Sequence, residues 1–226
     1  MKRPALLILL TGLLTALSAG PAMAAPPTQI TTCPYTIMAP GQYVLAADCT
    51  GGITIMASDV HLKLNGHTVK GPGGAGIMAA NVSHVHIEGP GTITMFIVGI
   101  NFAGTVSDSH VEQVMCIDNR DVGLILDQQT TNTHVNNSVF SMNGLFGIIG
   151  DPGTSDNHLN NNQVINNNTT NGFGFGIFLN SGATNYHING NTALGHAVDL
   201  GDQNPNCDDN KWNGNTFVTA SQPCIH

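Results

Sequence analysis

One phrase returns along the middle of the chain: Gly52-Ile53-Thr54-Ile55, Gly76-Ile77-Met78-Ala79, Gly99-Ile100-Asn101-Phe102, Gly123-Leu124-Ile125-Leu126, Gly147-Ile148-Ile149-Gly150 and Gly176-Ile177-Phe178-Leu179. The glycines stand 24, 23, 24, 24 and 29 residues apart, and a weaker seventh copy, Ala197-Val198-Asp199-Leu200, follows 21 residues later. A fixed period in the twenties marks a solenoid, in which each repeat makes one turn and hides its apolar face by stacking on its neighbours. A second register sits inside each repeat. Eight to eleven residues after the glycine comes a histidine followed by an aliphatic residue: His61-Leu62, His84-Val85, His110-Val111, His134-Val135, His158-Leu159 and His187-Ile188, with Lys211-Trp212 in the seventh. Four residues past that column lie Asn65, Asn162, Asn191 and Asn215, with Glu88, Val114 and Ser138 in the other copies. Six past it lie Cys116, Phe140, Val164, Ala193 and Phe217. Short alternating segments split by Gly, Asn, Asp and Ser read as strands of period two joined by turns, and no window sustains a helical period. Strands that return above their predecessors give a parallel β-helix with coils roughly 4.8 Å apart.

In the run Leu62-Lys63-Leu64-Asn65-Gly66-His67-Thr68-Val69-Lys70-Gly71, in the Gly-Ile phrase and in the cysteine-bounded ends, the chain resembles the right-handed parallel β-helix proteins of the pectin-lyase-like class, in particular its small secreted members. The resemblance implies an all-β, right-handed parallel β-helix solenoid of about seven coils. It leaves the activity open, because this fold hosts lyases, hydrolases, epimerases and non-enzymes.

Residues 1–24 read as a secretory signal: Lys2 and Arg3, an apolar run from Ala5 to Leu17, and the small-x-small site Ala22-Met23-Ala24. The apolar run is shorter than the ~20 residues of a membrane span, so cleavage after Ala24 is expected to leave an exported chain with no span. That mature chain keeps Lys63, Lys70, Arg120 and Lys211 against all fourteen acids, a charge near −10. Nucleic acid and anionic lipid are poor partners for such a surface, and an anionic polysaccharide would need a bridging cation.

Residues 25–52 precede the clear repeats and are expected to cap the open end of the stack, which otherwise exposes an apolar cross-section and free strand edges. Residues 53–217 form the repeats and 218–226 a tail. Cys33 and Cys49 lie in the cap, and Cys207 and Cys224 flank the last coil. Two local pairs at opposite ends of an exported chain read as terminal disulfides. Cys116 stands in a column of Phe140, Val164, Ala193 and Phe217, the setting of a buried thiol rather than a nucleophile.

Alternation along the Gly-Ile phrase sorts its faces. Ile53, Ile77, Ile100, Leu124, Ile148, Ile177 and Val198 form one inward column, and Ile55, Ala79, Phe102, Leu126, Gly150, Leu179 and Leu200 a second. Thr54, Met78, Asn101, Ile125, Ile149, Phe178 and Asp199 then point outward, so three successive outward positions are apolar. Beside that stripe lie Asp127, Asp151 and Asn180, with Asp202 close to the next place. Carboxylates on adjacent coils can hold Ca²⁺ through oxygen ligands or act as acid and nucleophile in sugar chemistry; Asp and Asn are also ordinary turn residues. Arg120, the only mature arginine, is the candidate base or carboxylate clamp, or else part of a surface ion pair. The histidine column reads either as a ladder of stacked neutral rings or as metal ligands. Stacked Asn side chains are expected to bond along the stack.

Two functions follow. The first is an exported protein that binds a polysaccharide or other glycan along the face of Ile125, Ile149, Phe178 and Asn180, with Ca²⁺ at Asp127 and Asp151 where the glycan is acidic. The second is a carbohydrate-active enzyme, a lyase, hydrolase or epimerase, using Asp127, Asp151 and Arg120. Binding is favoured because the sequence has no arginine-rich lyase segment, no paired Asp on one strand like the family's hydrolases, and no Asp-Pro-His like its epimerases. Asp151-Pro152-Gly153 departs from that last motif at its third position.

Overall fold

The computed structural model describes residues 26–167 and 173–226. The segment read as a secretory signal lies outside them, as does part of the long repeat between Gly147 and Gly176.

Each coil places three short strands on three faces. The phrase that sets the period forms the first, which we call the glycine face: Tyr35–Ile37, Ile53–Ile55, Ala75–Ala80, Val98–Ala103, Val122–Leu126, Phe146–Gly150, Phe175–Leu179 and Val198–Asp202, all parallel and paired in chain order. Glycine recurs because adjacent coils approach closely there. A Cβ on Gly99 would stand 2.5 Å from the Gly123 carbonyl oxygen, and one on Gly123 2.6 Å from that of Gly147. The second, the histidine face, runs from Thr28–Ile30 through Gly41–Leu45 and Val60–Lys63 to Lys211–Asn213. The third includes Thr68–Lys70, Val139–Ser141, Gln163–Ile165 and Thr192–Leu194; the long strands Val85–Thr94 and His110–Ile117 run through both the second and third faces. Residues 25–52 contribute four of these strands, each paired in parallel with a later coil.

The inward columns are as the alternation implies. Ile77, Ile100, Leu124, Ile148 and Ile177 stand in register and are fully buried, and Phe102, Leu126 and Leu179 are buried in the next column. Gly150 leaves room in that column for Tyr186, whose hydroxyl donates to Thr154 Oγ1 at 2.8 Å. Cys116 is buried and unpaired, opposite Ile93 and Phe140. Burial pushes its thiol pKa far up. Cys33–Cys49 and Cys207–Cys224 are bonded, closing the two ends.

The corners explain the Asn and Asp content. Asp108, Asn132, Asp156 and Asn185 take φ between +47° and +58° just before the histidine face, and Asn137 and Asn161 do so after it, at +50° and +54°. Short side chains that bond locally tolerate this left-handed conformation best. Inside two corners run buried polar ladders. Asn119, Asn143 and Asn167 form one, each Nδ2 donating to the next Oδ1 at 3.0 and 2.7 Å, ending on His196. Ser138, Asn162, Asn191 and Asn215 form the other. Asn65 is not part of it; its Nδ2 donates to the Leu45 carbonyl, and Glu88 faces outward in the column of Lys63.

Two registers differ from the sequence reading. His84 lies outside the histidine ladder, in a left-handed corner beside Asp59, and His86 takes its place between His61 and His110. The adjacent Val85 is the inward residue of this strand, so His-Val adjacency misplaced the histidine by two residues. In the seventh coil Leu200, Gly201 and Asp202 pair with Ile177, Phe178 and Leu179, two residues on from the spacing used above. Asp199 therefore stands level with Gly176 and is buried rather than outward, with Val198 outward of it. It accepts from His196 Nδ1 at 2.9 Å and from the Val218 and Thr219 amides. Asp202 turns inward, where it accepts from Trp212 Nε1, Asn210 and Asn204. Asp199 binds the tail to the last coil through its carboxylate, and Asp202 does so through its backbone, whose amide donates to Ser221 and whose carbonyl accepts from Gln222. A carboxylate can occupy these columns because hydrogen-bond donors meet it there: the tail amides of Val218 and Thr219 at Asp199, and the side chains of Asn204, Asn210 and Trp212 at Asp202.

Candidate functional site

The glycine face presents two adjacent outward columns. One is Thr54, Met78, Asn101, Ile125, Ile149, Phe178 and Gly201. The other stands just before each glycine, and before Asp199 in the last coil: Ala75, Val98, Val122, Phe146, Phe175 and Val198. The second column is legible as the residue preceding each glycine, but alternation read only forward from the glycine passes over it. Together they make a largely apolar surface two side chains wide, with Thr54 and Asn101 its polar members and Val122 only 7% exposed. It is most aromatic where Phe146 stacks on Phe175 at 5.2 Å and 12°, with Phe178 tilted against both at 4.5 and 5.7 Å. Phe178 is only 8% exposed: its ring lies over Gly201, where a Cβ would meet it at 2.4 Å. Phe146 and Phe175 are the part-exposed rings of the trio.

The polar border follows each strand. Asp127 and Asp151 occupy successive coils after Leu126 and Gly150, and Asn180 follows Leu179 in the next coil. Asn180 Nδ2 donates to Asp151 Oδ1 at 2.8 Å, and Asp127 Oδ1 accepts from the Gln128 amide at 2.7 Å. Burial raises the Asp151 pKa above its ordinary value, the Asn180 bond opposes the rise and the Asp127 charge adds to it. Asp202, buried at the chain's end, is not part of this border, and Gln203 follows it.

Arg120 is not part of this constellation either. Its exposed guanidinium forms a two-point pair with Asp121, at 3.2 and 3.0 Å, before the strand Val122–Leu126, whereas Asp127 follows that strand. Five strand residues separate the two by at least about 13 Å along the chain. The sequence-expected Ca²⁺ ligands Asp127 and Asp151 supply two carboxylates, and the third side chain turns an amide N–H toward them. Ca²⁺ takes six to eight oxygens, so water and a ligand's own carboxylates would have to complete such a site.

Across the molecule, His61, His86, His110, His134, His158 and His187 form the ladder on the histidine face, with centroid spacings of 4.4 to 5.7 Å. Burial first, and neighbouring rings second, hold His86, His134 and His158 below the ordinary imidazole pKa.

The chain matches the family described as right handed beta helix region over residues 51–217, and it belongs to that family. No curated protein matches it in sequence. Among solved structures it is similar to an alginate lyase from Paenibacillus sp. str. FPU-7, with a TM-score of 0.60 and 14% identity over 79% of this chain and 68% of the lyase. It is also similar to the A-module of a mannuronan C-5 epimerase from Azotobacter vinelandii, with a TM-score of 0.50 and 15% identity over 86% of this chain and 75% of that one. At these identities the likeness is one of fold.

Among the described residues no helix is long and apolar enough to cross a membrane. The two disulfides belong to an oxidising compartment such as the periplasm or the exterior of the cell.

Proposed function

We propose that this is an exported glycan-binding protein whose ligand, an extended saccharide chain, lies along the glycine face with its sugars in step with the coils. The observation that carries the reading is the Phe146, Phe175 and Phe178 cluster placed next to the Asp151–Asn180 pair and Asp127. A sugar ring has an apolar face of axial C–H groups and an equatorial rim of hydroxyls. Part-exposed aromatic and aliphatic side chains take the first, and carboxylates and amides take the second. The two similar structures are enzymes named for alginate and mannuronan, which adds support for a saccharide ligand. With a mature charge near −10, neutral glycans are the direct fit, and acidic ones need a cation at Asp127 and Asp151.

Isothermal titration with neutral and uronate oligosaccharides tests this. Phe175→Ala should weaken binding at least tenfold with the circular dichroism spectrum unchanged, and a chelator should weaken binding of uronates alone. Binding that survives both Phe175→Ala and the Asp127→Asn, Asp151→Asn double change would place the ligand elsewhere.

One observation favours the enzymatic alternative: Asp151 holds its proton to higher pH than an ordinary carboxyl, beside a second carboxylate. A carboxyl that keeps its proton to higher pH is what acid catalysis of glycosidic cleavage uses. If product analysis finds turnover that the Asp151→Asn change abolishes while binding persists, the protein is an enzyme.

A further inference from the structure

Beside the ladder of the histidine face runs a second outward column, Lys63, Glu88, Glu112, Asn136, Asn160, Asn189 and Asn213. Its asparagines bond to one another along the stack, at 3.0, 3.1 and 3.2 Å. The exception is the N-terminal end. His61 and His86 stack in parallel at 4.4 Å and 3°, but His110 is turned 59° from His86, so the ladder is interrupted after its second ring. At that break His86 Nε2 is buried with no hydrogen-bond partner. Glu88, two residues on and on the same face, reaches His61 Nε2 at 2.5 Å and receives Lys63 Nζ at 3.0 and 3.1 Å. One ligand atom from each of His61, His86 and Glu88 lies within 4.8 Å of the other two, and among the described residues this is the single such group of three.

We propose that His61, His86 and Glu88 form a binding site for a divalent transition-metal ion of the Zn²⁺ class. Two imidazole nitrogens and one carboxylate oxygen suit Zn²⁺, Cu²⁺ or Ni²⁺ and are a poor set for Ca²⁺, which wants oxygen alone. The ion gives the orphaned His86 nitrogen its partner. All three side chains are part-exposed, leaving a fourth position to water. Metal–nitrogen bonds of about 2.0–2.1 Å require the two rings to swing from their parallel stack toward a common point. The tilted His110 and the short bond already drawing His61 toward Glu88 favour that movement. Burial, with the charges of His61 and His110 next, lowers the His86 pKa. Lys63 is the competitor: its ammonium holds the carboxylate that the ion needs. The site faces away from the glycine face and stands or falls independently of glycan binding.

Calorimetric titration of the untagged chain with Zn²⁺ at pH 7.5 is the test. One ion per chain is expected, with Glu88→Gln and His86→Ala each weakening it at least tenfold. Lys63→Met should tighten it severalfold, and His158→Ala, three coils further along the same ladder, should leave it unchanged. Co²⁺ absorption in the visible range, present in the native chain and lost in Glu88→Gln, reports the same site without depending on stability. The proposal is overturned if no saturable binding is found, or if binding persists in Glu88→Gln and disappears in His158→Ala.

Discussion

Asn143→Ala is the sharpest perturbation of the stack, because nothing about this residue looks like core in the usual sense. Its side chain is fully buried and all of its capacity is used. Nδ2 donates to the Cys116 carbonyl at 3.1 Å and to Asn167 Oδ1 at 2.7 Å, while Oδ1 accepts the Asn119 amide at 3.1 Å and Asn119 Nδ2 at 3.0 Å. Truncation to Ala leaves some of these partners with alternatives: Asn119 Nδ2 keeps the Ile93 carbonyl, and Asn167 Oδ1 keeps the Asn143 backbone amide. The Asn119 amide keeps none from the ladder, and the Cys116 carbonyl loses its side-chain donor. Each buried group left unmatched costs about 1–3 kcal/mol, so the loss should be roughly 2–5 kcal/mol, as large as deleting a core leucine. Asn160→Ala is the control, since it removes an amide from the part-exposed ladder on the histidine face and should cost less than about 1 kcal/mol. Urea unfolding followed by circular dichroism reads both. Equal midpoints for Asn143→Ala and Asn160→Ala would refute the view that the inner amide ladder binds coil to coil.

Other expectations follow from the same packing. Leu126→Ala and Ile148→Ala, both at fully buried positions, should each cost about 2–5 kcal/mol in the same melts, against less than about 1 kcal/mol for the half-exposed His134→Ala. Reducing either terminal disulfide should cost about 3 kcal/mol, given sequence separations of 16 and 17 residues, and is read by melts with and without reductant. The pH dependence of unfolding has a stated sign. Burial and neighbouring rings lower His86, His134 and His158, and burial lowers His196 against its bond to Asp199. The unfolded chain therefore binds protons that the folded chain refuses, and stability should fall as pH drops below about 6.5. Glu88 and Asp199, lowered by their hydrogen bonds against the burial that opposes them, add a further loss as pH falls through the carboxylate range. Asp151, raised by burial, works the other way, its contribution fading as pH rises through its folded value.

The period of the glycines was enough to define the fold, since a repeat of 23 to 29 residues built from three-residue alternations leaves stacking as the one way to bury Ile77, Ile100 and Leu124 together. The terminal cysteine pairs were legible for a similar reason: each pair lies close in sequence at an end that needs closing. Register was harder to read where a corner changes length. His84 and His86 are both followed by an aliphatic residue, and only the pairing of Val60 with Val85 shows which ring joins the ladder. The last coil misled because Asp199 holds an inward position taken by Gly elsewhere and Asp202 one taken by Ile, Ala, Phe, Leu or Gly, satisfied by Trp212, Asn210 and the tail's amides, which no repeat spacing announces. The geometry of the candidate face was half visible. Ile125, Ile149, Phe178, Asp127, Asp151 and Asn180 do share one face, but Phe178 is largely covered and the more open rings are Phe146 and Phe175. Arg120 is close to Asp127 in sequence and lies across the full length of a strand from it.

Hydrogen exchange with and without a bound oligosaccharide tests the central claim most directly. Saturation with a neutral glycan that binds should slow exchange in residues 122–127, 146–151 and 175–180, the three consecutive glycine-face strands with their polar border, and leave residues 134–136, 158–160 and 187–189 on the histidine face as they were. Protection confined to the histidine face, or none on residues 146–151 and 175–180 at saturation, would contradict the account.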